Sequence, residues 1–98
     1  MAELGATLNK AYELLTGERA EQYGDPRPNY RLAASLANLL ADLNLNERDI
    51  YIVMVAVKLA RETQMHNRDN LVDAVAYLDM LSHAIEQDSV DVRCIDEA

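Results

Sequence analysis

The sequence predicts an all-α fold, a four-helix bundle completed by oligomerisation, on three observations. Apolar residues recur at three- and four-residue spacing along most of the chain, and no stretch alternates as a half-buried strand would. The segments between these stretches are short and carry Gly, Pro and Asn. Two of the helices are apolar on more than one face, which is more than the rest of a 98-residue chain can cover.

Leu4, Leu8, Ala11, Tyr12 and Leu15 share one helical face, and this first helix ends near Thr16-Gly17. Gly17 suits a break, Glu18–Tyr23 forms a further short helical stretch, and Gly24-Asp25-Pro26 stops it, so residues 24–28 make a rigid turn. A second helix runs from about Pro28 to Leu43, with proline tolerated in its first turn. It carries Leu32, Leu36, Leu39, Leu40 and Leu43 on one stripe and an Ala-rich face opposite that can pack closely. Asn46, followed three residues later by Asp49, resembles a capping box with Asp in place of Glu and opens a third helix to about Met65. The turn His66-Asn67-Arg68 is too short for anything but an antiparallel hairpin, and a fourth helix follows from Asp69 or Asn70 to about Gln87. Residues 1–87 are thus expected to form a single helical domain, and 88–98 a polar, flexible C-terminal tail.

The core must be built without Trp or Phe, from Leu, Ala, Val, Ile, Met and five Tyr. A formal net charge of −8, from 17 acidic and 9 basic side chains, repels a phosphate backbone at long range, and no helix carries a basic stripe. Nucleic acid is therefore not an expected partner. The longest apolar stretch, Ile50–Val57, is too short to span a bilayer and the N-terminus lacks a signal-like pattern, so neither a membrane partner nor export is expected, and the location is cytoplasmic. Cys94 is the only cysteine, which leaves no intrachain disulfide and no zinc set.

In the fourth helix, Leu71, Ala74, Val75, Leu78, Leu81 and Ile85 form one stripe, while Val72, Ala76, Tyr77, Met80 and Ala84 form a second, interrupted by Asp73. The first half of the third helix, Ile50 to Val57, has almost no polar sector. A partner subunit is the economical source of the missing cover, in an isologous dimer or a higher closed symmetry.

The hairpin between the third and fourth helices carries the most chemistry. Lys58 and Arg61 lie one turn apart near its close, as do Asp69 and Asp73 after it, and folding brings the two pairs to similar heights. On the structural reading Asp69 caps the fourth helix and Arg61 or Lys58 pairs with Asp73, which would be costly to bury alone. On the functional reading Asp69 and Asp73 hold a divalent cation while Lys58, Arg61 or Arg68 meets phosphate oxygens, as phosphoester chemistry requires. A second cluster, Glu18 and Arg19 followed by Tyr23, Asp25 and Asn29, can line a ligand pocket against the second helix; alternatively it is a turn whose Asp25 caps that helix. His66 and His83 are too far apart to pair on a metal, and no Ser or Cys has a base at a telling spacing.

The ordered set Leu15-Thr16-Gly17-Glu18-Arg19, Tyr23-Gly24-Asp25-Pro26 with Asn29, Lys58-Leu59-Ala60-Arg61, and Arg68-Asp69 with Asp73 and Tyr77 resembles a small helical family of phages and prophages without an assigned function. More distantly, the helical pattern and the Asp73-to-Tyr77 segment are similar to all-α nucleoside triphosphate pyrophosphohydrolases of the MazG and dimeric dUTPase type. That resemblance implies a MazG-like bundle in dimers or tetramers, magnesium on Asp69 and Asp73, and pyrophosphate release from a nucleotide. Its first-helix acidic cluster has only Glu18 with Glu21 as a counterpart. The expectation is a nucleotide pyrophosphohydrolase or a degenerate nucleotide binder, with Tyr77 beside the ligand. Two alternatives stand beside it: a phage accessory or anti-defence protein that binds a host protein or sequesters a nucleotide signal, and a structural oligomer.

Overall fold

The computed structural model describes residues 3–92, which hold five helices and no strand. They are α1 (Ala6–Thr16), α2 (Glu18–Tyr23), α3 (Arg27–Ala41), α4 (Glu47–Gln64) and α5 (Arg68–Val92). The short stretch α2 stands beside the four long helices expected from the sequence. Cys94 and the chain from 93 onward lie outside the described residues.

Helix α4 opens on the foreseen capping box. The Asn46 side chain accepts the Asp49 N–H at 3.0 Å, and the Asp49 carboxylate accepts the Asn46 N–H at 2.9 Å, so two otherwise orphaned donors are satisfied. The loop before it is pinned by Asn38, whose amide donates to the Leu45 carbonyl at 2.9 Å and accepts the Leu45 N–H at 2.7 Å. Helices α4 and α5 pack along their length as an antiparallel hairpin; the ion pairs Lys58–Asp73 and Arg48–Asp88 run in opposite chain directions, as that arrangement demands.

Helix α5 extends beyond the expected end at Gln87, to Val92. Asp88, placed by sequence in the polar tail, is a helical residue held by Arg27 and Arg48. The start of α5 is also organised differently. Asp69 does not cap it: Asn67 does, its side chain accepting the Asp69 N–H at 2.9 Å. Glu62 fastens the same turn by accepting the Asn67 N–H at 2.9 Å and the Asn70 amide at 3.2 Å while holding the His66 ring.

Ala11, Val72 and Ala76 form the buried cluster where α1 crosses α5, with Leu14, Leu15 and Val75 against it. Buried residues of α5 come from both stripes, Val72, Ala76 and Ala84 from one and Ala74 from the other, whereas Leu78 and Ile85 on the latter are exposed. On α1 the expected face is rotated: Ala11 is buried but Leu8 and Tyr12 face outward, and Leu4 lies exposed before the helix begins. Helix α3 packs on α4 through its small face, with Ala34 buried, and turns its leucine stripe away. Small residues let helix axes approach closely, which gives the Ala-rich faces of α1, α3 and α5 to the interior and leaves the larger side chains outside.

Candidate functional site

The turn between α2 and α3 is built around Gly24, whose φ of 72° lies where a side chain would be strained. Its N–H closes α2 on the Ala20 carbonyl at 2.8 Å. Asp25 then accepts the Arg27 N–H at 3.0 Å, so the Asp25 carboxylate starts α3. Gly17 makes the earlier bend possible for a steric reason: a Cβ there would lie 2.6 Å from the Glu13 carbonyl oxygen.

These bends set α2 and the following turn opposite α5 and leave between them a half-open cavity of about 390 Å³. Its walls are Leu14 and Leu15 from α1, Ala20, Gly24 and Pro26 from the bend, Tyr30 from α3, and Asp73, Ala76, Tyr77 and Met80 from α5. The Tyr30 hydroxyl donates to the Tyr77 hydroxyl at 3.3 Å, and the two rings meet edge to face at 6.0 Å. Burial, followed by the Tyr77 hydrogen bond, pushes the Tyr30 phenol above its ordinary range, so it stays protonated. Asp73 is the carboxylate in the wall, and Lys58 holds it at 3.0 Å from the neighbouring helix. The partner left open between Arg61 and Lys58 is thus Lys58.

A second hollow of about 520 Å³ lies on the other side of Asp73, lined by Lys10, Glu13, Leu14, Glu18, Asp69, Val72 and Asp73. Here the structure brings Glu18 beside Asp69 and Asp73, as the magnesium expectation needs. Among the described residues, however, no three His, Cys, Asp or Glu side chains come close enough to share a metal ion. Asn29, Arg61 and Arg68 are exposed and contribute to neither hollow. The side chains of Arg19 and Tyr23 lie outside the described residues.

A third assembly was not singled out from the sequence. Arg27 and Glu47, both buried, form a bidentate pair with Nε to Oε2 at 2.7 Å and Nη2 to Oε1 at 2.8 Å. Tyr51, fully buried, donates to Glu47 at 2.5 Å, and Arg31 reaches the same carboxylate at 3.3 Å. Arg27 continues to Asp88 at 3.2 Å and to Gln87 at 3.4 Å, tying the starts of α3 and α4 to the end of α5. The Arg27 hydrogen bonds hold the Glu47 carboxyl down at about 2, against an ordinary 4.5, despite its burial. Asp88 is held low by the same guanidinium. A charged residue in the first turn of α4, four positions before Tyr51, is the one signal available in the sequence. The Arg27 partners lie 20 and 61 positions away, beyond any local pattern.

Residues 6–85 match a family described only as a domain of unknown function, DUF6378. The chain belongs to that family. This DUF6378 chain is also similar to two proteins each called Gene 55 protein. The one from Mycobacterium phage D29 is 28% identical over 81 residues, covering 82% of this chain and 54% of the relative. The one from Mycobacterium phage L5 is 29% identical over 76 residues, covering 76% of this chain and 49% of the relative. The DUF6378 chain therefore spans about half the length of the phage relatives it matches. No solved structure matches it. No helix among its described residues is long and apolar enough to cross a membrane.

Proposed function

We propose that this DUF6378 chain is a nucleotide-binding protein, working as a homo-oligomer, that holds its ligand in the tyrosine-walled cavity without hydrolysing it. The observation that carries the reading is convergence: Gly24 and Pro26 from the bend, Tyr30 from α3, and Asp73 with Tyr77 from α5 are far apart in sequence yet line one hollow of about 390 Å³. A mostly apolar hollow of a few hundred Å³ with a few polar groups is the usual form of a small-molecule site. Two phenol rings offer stacking faces for a base, and the Asp73 carboxylate offers an acceptor for an exocyclic amine. The Lys58 ammonium that pairs with Asp73 at 3.0 Å places one positive charge behind that wall, in a protein of formal net charge −8.

Binding is favoured over the MazG-like hydrolysis implied by resemblance because the carboxylates do not fit the metal. Asp73 is already paired with Lys58, and Asp69 and Glu18 do not close on it as a three-carboxylate set. The large apolar side chains exposed on α3, α4 and α5 support the homo-oligomer.

The test is thermal unfolding of the whole chain at fixed protein concentration against a panel of nucleoside mono-, di- and triphosphates, with and without magnesium. Pyrophosphate and phosphate release are followed in parallel. A ligand at about 100 times its Kd adds about 2.7 kcal/mol. For a domain of this size that is a rise of roughly 10–20 °C. The expected result is such a rise with one class of nucleotide, abolished in Tyr77→Ala, without turnover. No response to any nucleotide would overturn the reading, and magnesium-dependent release would restore the hydrolase.

A further inference from the structure

Helix α3 turns a stripe of large apolar side chains out of the protomer. Leu32, Leu36, Leu39 and Leu40 all face outward, Leu39 and Leu40 at 79% and 81% exposure, and Leu43 stands exposed just beyond the helix end. From Leu32 to Ala41 there is no charged residue at all. The exposed leucine surface amounts to about three whole side chains, on the order of 500 Å², already at the upper range of patches on monomers and a large share of the ~800 Å² per partner that a stable interface buries.

The geometry points to an occupant: a second copy of α3, laid antiparallel across the first about a two-fold axis near Leu36. This inference rests on the homo-oligomer reading and names its interface. Leu32, Leu36 and Leu40 are spaced i, i+4, i+8, so a two-fold at Leu36 sets Leu32 against the partner subunit's Leu40 and Leu36 against the partner subunit's Leu36. Helix polarity decides the direction: antiparallel packing sets the N-terminal end of each α3 beside the C-terminal end of the other and opposes the two macrodipoles, whereas a parallel pairing aligns them.

Sedimentation velocity across a concentration series, with helicity followed by circular dichroism, tests the interface. The native chain is expected to sediment as a dimer or a multiple of it, and Leu36→Glu with Leu39→Glu to raise the dissociation constant at least about a hundredfold with helicity unchanged. Leu39 is 79% and Leu36 47% exposed in the protomer, and the unchanged helicity checks that its packing survives the substitutions. A native chain that stays monomeric overturns the oligomer reading and this interface together. An oligomer that survives the double substitution overturns the interface alone. Direction is read by disulfide trapping in a Cys94→Ser background: a mixture of Leu32→Cys and Leu40→Cys chains is expected to crosslink, and neither chain with itself. Self-crosslinking of each chain would overturn the antiparallel arrangement.

Discussion

Replacing Glu47 by Gln keeps the shape of the side chain and removes its charge, leaving the buried Arg27 guanidinium with Asp88 as its remaining carboxylate partner. The magnitude follows by two routes. Stranding one member of a buried ion pair costs about 3–5 kcal/mol. Independently, a carboxyl whose value falls from 4.5 in the unfolded chain to about 2 in the folded one stabilises the fold by roughly 3 kcal/mol when ionised. The two routes agree at about 3 kcal/mol, which for a domain near 100 residues lowers the melting temperature by about 15 °C. The sign of the pH dependence follows from the lowered value. The stabilisation is complete above the unfolded value of 4.5 and is lost as pH falls toward 2, because the unfolded chain takes up the proton first. The native chain should therefore lose stability steeply between about pH 5 and 2, and Glu47→Gln should lose less, retaining the smaller contributions of Asp88 and Glu62, whose carboxyls are also held low. The assay is thermal unfolding from pH 7 downward at one protein concentration. A shift below about 5 °C with an unchanged acid profile would refute the assignment of this pair as the main clamp.

Two further expectations test the local chemistry. Asn46→Ala removes the acceptor for the Asp49 N–H and should cost about 1 kcal/mol in urea unfolding, with the urea dependence unchanged. Gly17→Ala sets a Cβ against the Glu13 carbonyl oxygen, where nothing but backbone can yield, and should destabilise by about 1–3 kcal/mol, read as a fall in melting temperature.

What could be read from the sequence follows the range of the interactions concerned. The Asn46–Asp49 box, the break at Gly17 and the turn at Gly24 depend on neighbours within a few positions, and each residue type has a backbone consequence of its own. Asp73 and Tyr77 stood out as a charge and a ring in an otherwise apolar stripe, but their convergence with the Gly24 bend was not legible, because α2 and α5 are some fifty positions apart and only the packed fold brings them together. Which face of α1 or α3 turns inward was not. Both helices carry an apolar arc wider than one neighbour covers, and the choice between small and large side chains depends on how near the neighbouring axis comes. The cap of α5 was misplaced by two positions for a similar reason: Asn67 and Asp69 have the same capping chemistry, and only the path of the turn around Glu62 selects Asn67.

The clamp and the cavity are mechanically one object on one side and separate on the other. Glu47 accepts the Tyr51 hydroxyl, the Tyr51 ring lies 5.2 Å from that of Tyr30, and Tyr30 meets Tyr77 across the cavity wall. Three tyrosines thus carry the position of a buried ion pair to the cavity face of α3 and α5, and each is fixed by its hydroxyl as well as its ring. The opposite wall has no such brace. Helix α2 packs on α1, and α1 reaches the rest of the protomer through the small cluster of Ala11 on Val72 and Ala76. Displacing α2 costs apolar contacts worth tenths of a kcal/mol each, whereas Tyr30 is packed on Tyr51, whose hydroxyl the buried Glu47 carboxylate holds. On the proposed reading a ligand in the cavity is therefore accommodated on the α2 side, with the tyrosine wall as the more firmly held surface.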